Sequence, residues 1–219
     1  MEYHEKILSG QSRYELAGVP EGLDALTLAE LAQAQSREGG GWLLHVARDE
    51  ARMASLVEGI AFFAPGTHVL RLPAWDTLPY DRVSPNPEIS ATRMNTLARL
   101  VGQSPPKAPS ILLTTVNATL QRLPPRCSIE GAVFQAGPGA RVEVVELLDF
   151  LVRNGYSRSG TVMEPGEFAT RGGIVDIYPA GAETPLRLDF FGDSLESIRL
   201  FDPLTQITVG KGKTLDLVP

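Results

Sequence analysis

The first half of the chain alternates between segments with a helical hydrophobic period and segments with a strand period. Residues 23–37 are rich in alanine and leucine at helical spacing and end just before three glycines, which predicts a helix. The apolar run at 42–47 predicts a buried strand, and Asp49 is the expected N-cap of a second helix. Three further elements are predicted: a strand at 68–72, a helix at 88–101 and a strand at 111–115. Strands separated by helices indicate an α/β fold with a parallel sheet.

The second half of the chain has a different pattern. A segment rich in proline and glycine, from Pro124 to Pro138, interrupts the α/β alternation, so we place a domain boundary near residue 127. Residues 141–155 then contain an amphipathic helix, and three or four short strands with glycine and proline turns follow. This predicts a smaller α+β domain with an antiparallel sheet. The predicted domains are residues 1–127 and 128–212. The sequence also allows residues 213–219 to return to the first domain.

Strict alternation at residues 186–191 separates two sets of side chains. The set that should face a core is Leu186, Leu188 and Phe190. The set that should point outward is Arg187, Asp189 and Phe191. Arginine and aromatic residues are enriched at protein–protein hot spots, because the ring supplies apolar area and the guanidinium supplies directed hydrogen bonds. The pattern therefore favours a docking surface for a protein partner. The alternative is that Phe191 is buried and Arg187 pairs with Asp189 along the strand.

A proline-rich connection at residues 73–87 is too long for a plain connector in a compact domain. Trp75, Leu78 and Tyr80 are its large apolar residues. They either pin the loop onto the edge of the sheet or form a platform on which bases stack, and we favour pinning.

The composition and charge of the chain argue against several classes of protein. The 219 residues carry a net charge of -6, and 43% of them are apolar. A negative balance argues against a stand-alone nucleic-acid binder, because affinity for DNA needs a concentrated basic face that neutralises phosphates. No apolar run is long enough to span a bilayer, no secretory signal opens the chain, and the single cysteine, Cys127, excludes an internal disulfide. We therefore expect a cytoplasmic protein with no membrane partner.

Two stretches of the chain carry a family resemblance. Residues 166–179, Gly-Glu-Phe-Ala-Thr-Arg-Gly-Gly-Ile-Val-Asp-Ile-Tyr-Pro, and residues 187–199, Arg-Leu-Asp-Phe-Phe-Gly-Asp-Ser-Leu-Glu-Ser-Ile-Arg, resemble one module. That module is shared by two families of bacterial DNA-repair proteins, UvrB and the transcription-repair coupling factors (Mfd). Residues 75–81 are similar to the Trp-x-Thr-Leu-Pro-Tyr-Asp stretch of the coupling factors, so the resemblance is closer to that family.

The resemblance implies a non-catalytic amino-terminal module of a longer, ATP-dependent DNA translocase that displaces stalled RNA polymerase and recruits excision repair. The first domain would be a scaffold derived from a P-loop, helicase-like ATPase (UvrB-like domain 1A). The second would be UvrB-like domain 2, which binds UvrA. Other domains of the full-length chain would be further partners, and those domains would contact RNA polymerase and DNA and hold ATP and magnesium. The way the chain stops, without a helix or tail, fits a fragment of such a protein.

Carried onto this sequence, the family's UvrA-binding positions fall on Arg171, Arg187 and Phe191. Phe190 and Asp193 are adjacent candidates. Two of the three principal positions, Arg187 and Phe191, also belong to the outward set that the alternation selects.

The nucleotide loop of UvrB resembles a degenerate segment here, which contains Gly18, Gly22, Asp24 and Ala25. A phosphate-binding loop needs a lysine for the phosphates and a hydroxyl for magnesium, and Asp24 and Ala25 stand in those places. Because an aspartate repels a triphosphate, we predict that this chain binds no cofactor and hydrolyses no nucleotide. The chain has no Gly-x-Ser-x-Gly pattern, and His4, His45 and His68 are far apart, so neither a hydrolase nor a histidine metal site is favoured.

Two alternative functions remain at this point. One is an α/β nucleotide-binding enzyme that uses an unrecognised site at the ends of its parallel strands. The other is a DNA-binding module of the UvrB type.

Overall fold

The computed structural model describes the chain with the exception of residues 1, 2, 11, 12, 79, 81, 103, 104, 131, 132 and 219. The residues fall into two compact units, which we describe separately. The first contains residues 1–96 and 103–123, and the second contains residues 97–102 and 124–219. The last division between the units falls between Leu123 and Pro124, close to the boundary that we predicted near residue 127, and residues 97–102 also belong to the second unit.

The first unit is an α/β unit with a three-stranded parallel sheet. Its helices are α1 (Tyr3–Ser9), α2 (Leu23–Arg37), α3 (Glu50–Phe63), α4 (Pro87–Gly102, of which residues 97–102 belong to the second unit) and α5 (Val116–Thr119). Its strands are β1 (Leu43–Ala47), β2 (His68–Leu72) and β3 (Ser110–Thr115). The strand order is β1-β3-β2, and both pairings are parallel, so the predicted parallel sheet is confirmed.

Local signals in the sequence account for several of these boundaries. The Asp49 side chain accepts a hydrogen bond from the amide of Arg52 at 2.8 Å and caps α3. Helix α2 ends before a glycine turn in which the amide of Gly41 donates to the carbonyl of Pro106 at 2.8 Å. A Cβ on Gly40 would lie 2.3 Å from the same oxygen, and its φ is 86°, so only glycine fits there.

Strand β1 is not buried as the sequence predicted. It lies at the edge of the sheet, with β3 as its partner. Leu43 and Ala47 pack into the core with α2 and α3, whereas Leu44 and Val46 are exposed on the other face. An apolar run that reads as buried on both sides is therefore covered on one side only.

Trp75 fixes part of the proline-rich connection to the rest of the first unit. The amide of Trp75 donates to Gln121 Oε1 at 2.9 Å, and the guanidinium of Arg93 lies 4.5 Å from the centre of the Trp75 ring. Arg93 is buried and also donates to the carbonyl of Pro73. Leu78 and Tyr80 are exposed, so burial of their side chains does not pin the loop as we expected. Residues 79 and 81 lie outside the described residues.

The described residues of the second unit form two β-sheets and one complete α-helix, besides the end of α4. Helix α6 (Val144–Arg153) follows a 3-10 turn at Arg126–Ser128 and strand β4 (Phe134–Ala136). The remaining strands are β5 (Ser157–Arg158), β6 (Glu167–Arg171), β7 (Ile174–Ile177), β8 (Leu186–Phe191), β9 (Ser194–Phe201), β10 (Thr208–Lys211) and β11 (Leu215–Leu217). Strands β5 to β10 form one sheet in which neighbours in sequence are neighbours in space. All its pairings are antiparallel except β5 with β6. The predicted antiparallel sheet is confirmed.

The core of this unit lies between α6 and one face of the sheet. Leu147 and Leu151 of α6 are fully buried and pack with residues of the sheet such as Leu188. Strand β11 pairs with β4, and Leu215 and Leu217 are buried in the same core. The sequence allowed the end of the chain to rejoin the first domain. Instead, its apolar side chains complete the core of the second unit.

Candidate docking surface

The register of the six-stranded sheet assigns each side chain to one of two faces. Val175, Leu188 and Ile198 are register partners on the core face, and all three are buried. Side chains alternate along a strand, so the neighbouring rows lie on the opposite face. These rows are Ala169, Asp176, Arg187, Arg199 and Lys211, and then Arg171, Ile174, Asp189 and Ser197. We call this side of the sheet the charged face.

Arg187 is held by an ion pair with the adjacent strand. Its Nε and Nη2 donate to the two carboxylate oxygens of Asp176 at 2.7 and 2.9 Å, and its Nη1 donates to the carbonyl of Gln206 at 3.3 Å. The guanidinium also stacks 4.6 Å from the centre of the Phe201 ring. Only 16% of the Arg187 side chain and 3% of the Asp176 side chain are exposed. The hydrogen bonds to Asp176 raise the pKa of Arg187, so the residue is permanently charged and fixed in place.

A second ion pair lies beside the first. Arg199 donates from Nε to Asp189 Oδ2 at 2.8 Å and from Nη2 to Oδ1 at 2.5 Å, and the Ser197 hydroxyl also donates to Oδ2. Burial alone would raise the pKa of Asp189, but the hydrogen bonds from Arg199 and Ser197 outweigh it and hold the pKa below its ordinary value. The local pairing of Arg187 with Asp189 that the sequence allowed is not formed, since each of the two residues has a different partner.

Arg171 stands at the end of β6 and is exposed. Its Nη2 donates to the carbonyl of Gly160 at 2.7 Å and to Thr161 Oγ1 at 3.3 Å. No carboxylate pairs with Arg171 within the described part of the chain. The turn that follows needs glycine, because a Cβ on Gly173 would lie 2.7 Å from the carbonyl oxygen of Phe190. Arg171 thus stands beside a tightly fixed turn, and among the described residues no carboxylate neutralises its charge.

The end of β8 exposes one phenylalanine and buries another. A register shift after Asp189 pairs Phe190 with Leu195, so Phe190 packs against the core. Phe191 is 81% exposed on the opposite side. Asp193 lies in the following turn, where its carboxylate accepts a 3.4 Å hydrogen bond from Arg141.

The structure brings three of the five predicted site residues to one face. Arg171 and Phe191 are two strands apart, which puts their Cα atoms roughly 12 Å from each other at ordinary strand spacings. Arg187 lies on the same face, four residues before Phe191 on β8. Phe190 faces the core, and Asp193 lies in the turn beyond β8.

Sequence reasoning missed the residues that hold Arg187 and Asp189. Asp176 and Arg199 come from the neighbouring strands β7 and β9, so their roles follow from strand register. The carbonyl of Gln206 reaches Arg187 from the hairpin between β9 and β10. The alternation of polar residues in β9 was the one available signal for Arg199.

Asp24 occupies backbone donors of residues 18–25, the segment that we predicted to be a degenerate nucleotide loop. Asp24 Oδ1 accepts from the amides of Gly22 and Ala25 at 3.2 and 3.0 Å, and the carboxylate also pairs with Arg52. Arg52 reaches Glu21 as well, at 3.1 Å. Gly18 and Gly22 both have a positive φ, of 77° and 100°, and Ala25 is buried. An internal carboxylate thus takes two backbone donors that a phosphate-binding loop offers to its ligand.

A family model and several relatives match this chain. Residues 135–219 match the UvrB interaction domain family. The chain is 34% identical over 99% of its length to the transcription-repair-coupling factor of Escherichia coli (strain K12), and 37% identical over 81% to that of Myxococcus xanthus. It is 33% identical over 69% of its length to that of Bacillus subtilis (strain 168). The chain belongs to the family of the transcription-repair-coupling factors.

The chain spans 18%, 15% and 13% of the lengths of these three coupling factors. The charged face lies wholly within the residues that match the UvrB interaction domain, and residues 18–25 lie outside them. Over the described residues of this coupling-factor segment, no three histidine, cysteine, aspartate or glutamate side chains are grouped so that they could hold a metal ion. None of the described helices is long and apolar enough to cross a membrane.

Proposed function

We propose that this chain is a non-catalytic docking module that recruits UvrA through the charged face, in the bacterial cytoplasm. The observation that carries the proposal is a sheet face with an unneutralised arginine and an 81% exposed phenylalanine inside a UvrB interaction domain. Isolated exposed apolar residues are common on protein surfaces, but a large exposed ring on the same face as arginine side chains is typical of protein interfaces.

The three predicted binding residues have different roles in this proposal. Arg171 pairs with no carboxylate among the described residues, so it is free to bind one on UvrA. Phe191 enters an apolar pocket of the partner. Arg187 already uses three of its hydrogen bonds within the chain, and it stabilises the face on which the other two stand.

The first unit is a scaffold in this proposal and derives from a P-loop ATPase. Support for the lost activity comes from Asp24, whose carboxylate is bonded to the loop amides and to Arg52. In a full-length coupling factor the module would bring UvrA to stalled RNA polymerase, with ATP, DNA and polymerase handled by other domains.

The experiment that tests the proposal is UvrA binding by the 219-residue chain, measured by biolayer interferometry with immobilised UvrA. Arg171→Ala should weaken binding by roughly 2–4 kcal/mol if the arginine meets a desolvated carboxylate on UvrA, and by under about 1 kcal/mol at a solvated rim. Arg153→Ala is the control, because Arg153 is an exposed arginine on α6, the helix on the core side of the sheet.

Two results would contradict the proposal. One is the absence of UvrA binding by the unmodified chain at micromolar concentration. The other is equal loss of affinity in the Arg171 and Arg153 variants, which would show that binding follows net charge and not a defined face.

A further inference from the structure

The hairpin between β9 and β10 is tied to the charged face by Arg187. Arg187 Nη1 donates to the carbonyl of Gln206 at 3.3 Å, while the rest of the guanidinium is fixed by Asp176. Phe201, whose ring lies against the Arg187 guanidinium, is the last residue of β9, and the hairpin begins directly after it. A single side chain therefore joins the middle of the sheet to the loop at its end.

The hairpin is ordered well beyond what a plain turn requires. The Asp202 carboxylate accepts hydrogen bonds from the amides of Leu204 and Thr205 at 3.1 and 2.7 Å. Gln206 takes a φ of 61°, which is uncommon for a residue other than glycine, and its amide side chain donates to the carbonyls of Val162 and Pro203 at 3.0 and 2.7 Å. Backbone in sparsely populated conformations is retained where the surroundings over-determine it, and it is concentrated at functional sites.

This fixed loop presents apolar side chains to solvent. Leu204 is 79% exposed and Ile207 is 65% exposed. Rigid apolar anchors of this kind bind with little loss of conformational entropy, because their positions are set before the partner arrives.

We propose that Leu204 and Ile207 form a second apolar contact with the partner that binds the charged face, and that Arg187 is the positioning residue that holds them there. This inference rests on the proposed function. We assign the same partner, UvrA, to the hairpin and to the charged face, because Arg187 belongs to the charged face and bonds directly to the hairpin.

Phe191 and the hairpin are close enough together for one partner protein to contact both. Phe191 and the hairpin lie at opposite ends of β8, whose six residues span roughly 20 Å. An interface of ordinary size covers about 800 Å² on each partner, a patch roughly 28 Å across. The partner surface should therefore pair an acidic site for Arg171 with two apolar depressions, one for Phe191 and one for the hairpin.

The first experiment measures the affinity of the 219-residue chain for UvrA after Leu204→Ser and Ile207→Ser are introduced together. We expect a loss of about tenfold or more with an unchanged melting temperature, since both side chains are exposed. The control is Val145→Ser with Val152→Ser, because these residues are 70% and 63% exposed on α6, on the core side of the sheet. The control should bind within about threefold of the unmodified chain. An equally small change in the hairpin variant would overturn the inference.

The second experiment separates positioning by Arg187 from direct contact. Arg187→Lys keeps a positive charge beside Asp176 but removes the planar group that also reaches Gln206. If Arg187 acts through the hairpin, Arg187→Lys by itself weakens UvrA binding. Combining it with the two hairpin substitutions then causes little further loss of affinity. Unchanged binding of Arg187→Lys, or losses that multiply in the combined variant, would overturn the positioning role.

A Phe191→Ala arm distinguishes failure of this inference from failure of the proposed function. If Phe191→Ala weakens UvrA binding and the hairpin variant does not, only the hairpin contact is wrong. If neither variant changes binding, the charged face itself is not the docking surface.

Discussion

Truncation of Phe191 to alanine should weaken UvrA binding and leave the fold intact. An aromatic side chain buries roughly 150–250 Å² when it is enclosed. At about 25 cal/mol per Å², the 81% of Phe191 that is exposed corresponds to a ceiling of about 3–5 kcal/mol in binding. Alanine retains part of that area, so we expect a loss of about 2–3 kcal/mol, which is roughly 30- to 150-fold in Kd.

The same strand supplies the comparison for stability. Leu188 is fully buried on the core face of β8, whereas Phe191 is exposed on the charged face at its end. Leu188→Ala should destabilise the fold by about 2–5 kcal/mol because it leaves a cavity. Phe191→Ala should change the unfolding free energy by less than about 0.5 kcal/mol, as is usual for surface substitutions.

The assay combines UvrA affinity by interferometry with urea denaturation of each variant. Phe62→Ala is a matched control, because Phe62 is 80% exposed on α3 in the first unit. The reasoning is refuted if Phe191→Ala lowers stability as much as Leu188→Ala. It is also refuted if the Phe62 and Phe191 variants bind UvrA with the same affinity.

The ion pairs of the two units lead to three further predictions. Arg187→Ala leaves the buried carboxylate of Asp176 without its partner, so urea denaturation should show a loss of about 3–5 kcal/mol. The lowered pKa of Asp189 stabilises the fold above the ordinary value of 3.8, and this contribution is lost as the pH falls through the folded pKa. Asp189→Asn should therefore flatten the fall in melting temperature below pH 3.8, and an unchanged profile would contradict it. Calorimetric titration with Mg-ATP should give no binding heat, because Asp24 and Arg52 close the loop, and micromolar affinity would contradict this.

Local sequence patterns were sufficient for the elements and for part of the site. Helix α2 occupies the predicted residues 23–37, and Leu186 and Leu188 face the core as their alternation indicates. Both results depend on periods that a short segment contains by itself. The outward position of Phe191 follows from the same alternation, although a register shift intervenes after Asp189.

The remaining features depend on contacts between distant segments. The sequence could not show that Arg187 pairs with Asp176 and not with Asp189, because that choice depends on the register of β7 against β8. The exposure of Leu44 arises because β1 is an edge strand, which a single apolar run does not reveal. The contact of Gln206 with Arg187 depends on the path of a hairpin that has no strong sequence signal.

The most direct test of the account is hydroxyl-radical footprinting of the chain with and without UvrA, read out by mass spectrometry. Phe191 and Phe62 have nearly equal exposure in the free chain, 81% and 80%, so their intrinsic oxidation should be similar. The account predicts that UvrA protects Phe191 strongly and leaves Phe62 unprotected. Protection of Phe62 with continued oxidation of Phe191 would show that UvrA binds elsewhere, and would contradict the assignment of the charged face as the docking surface.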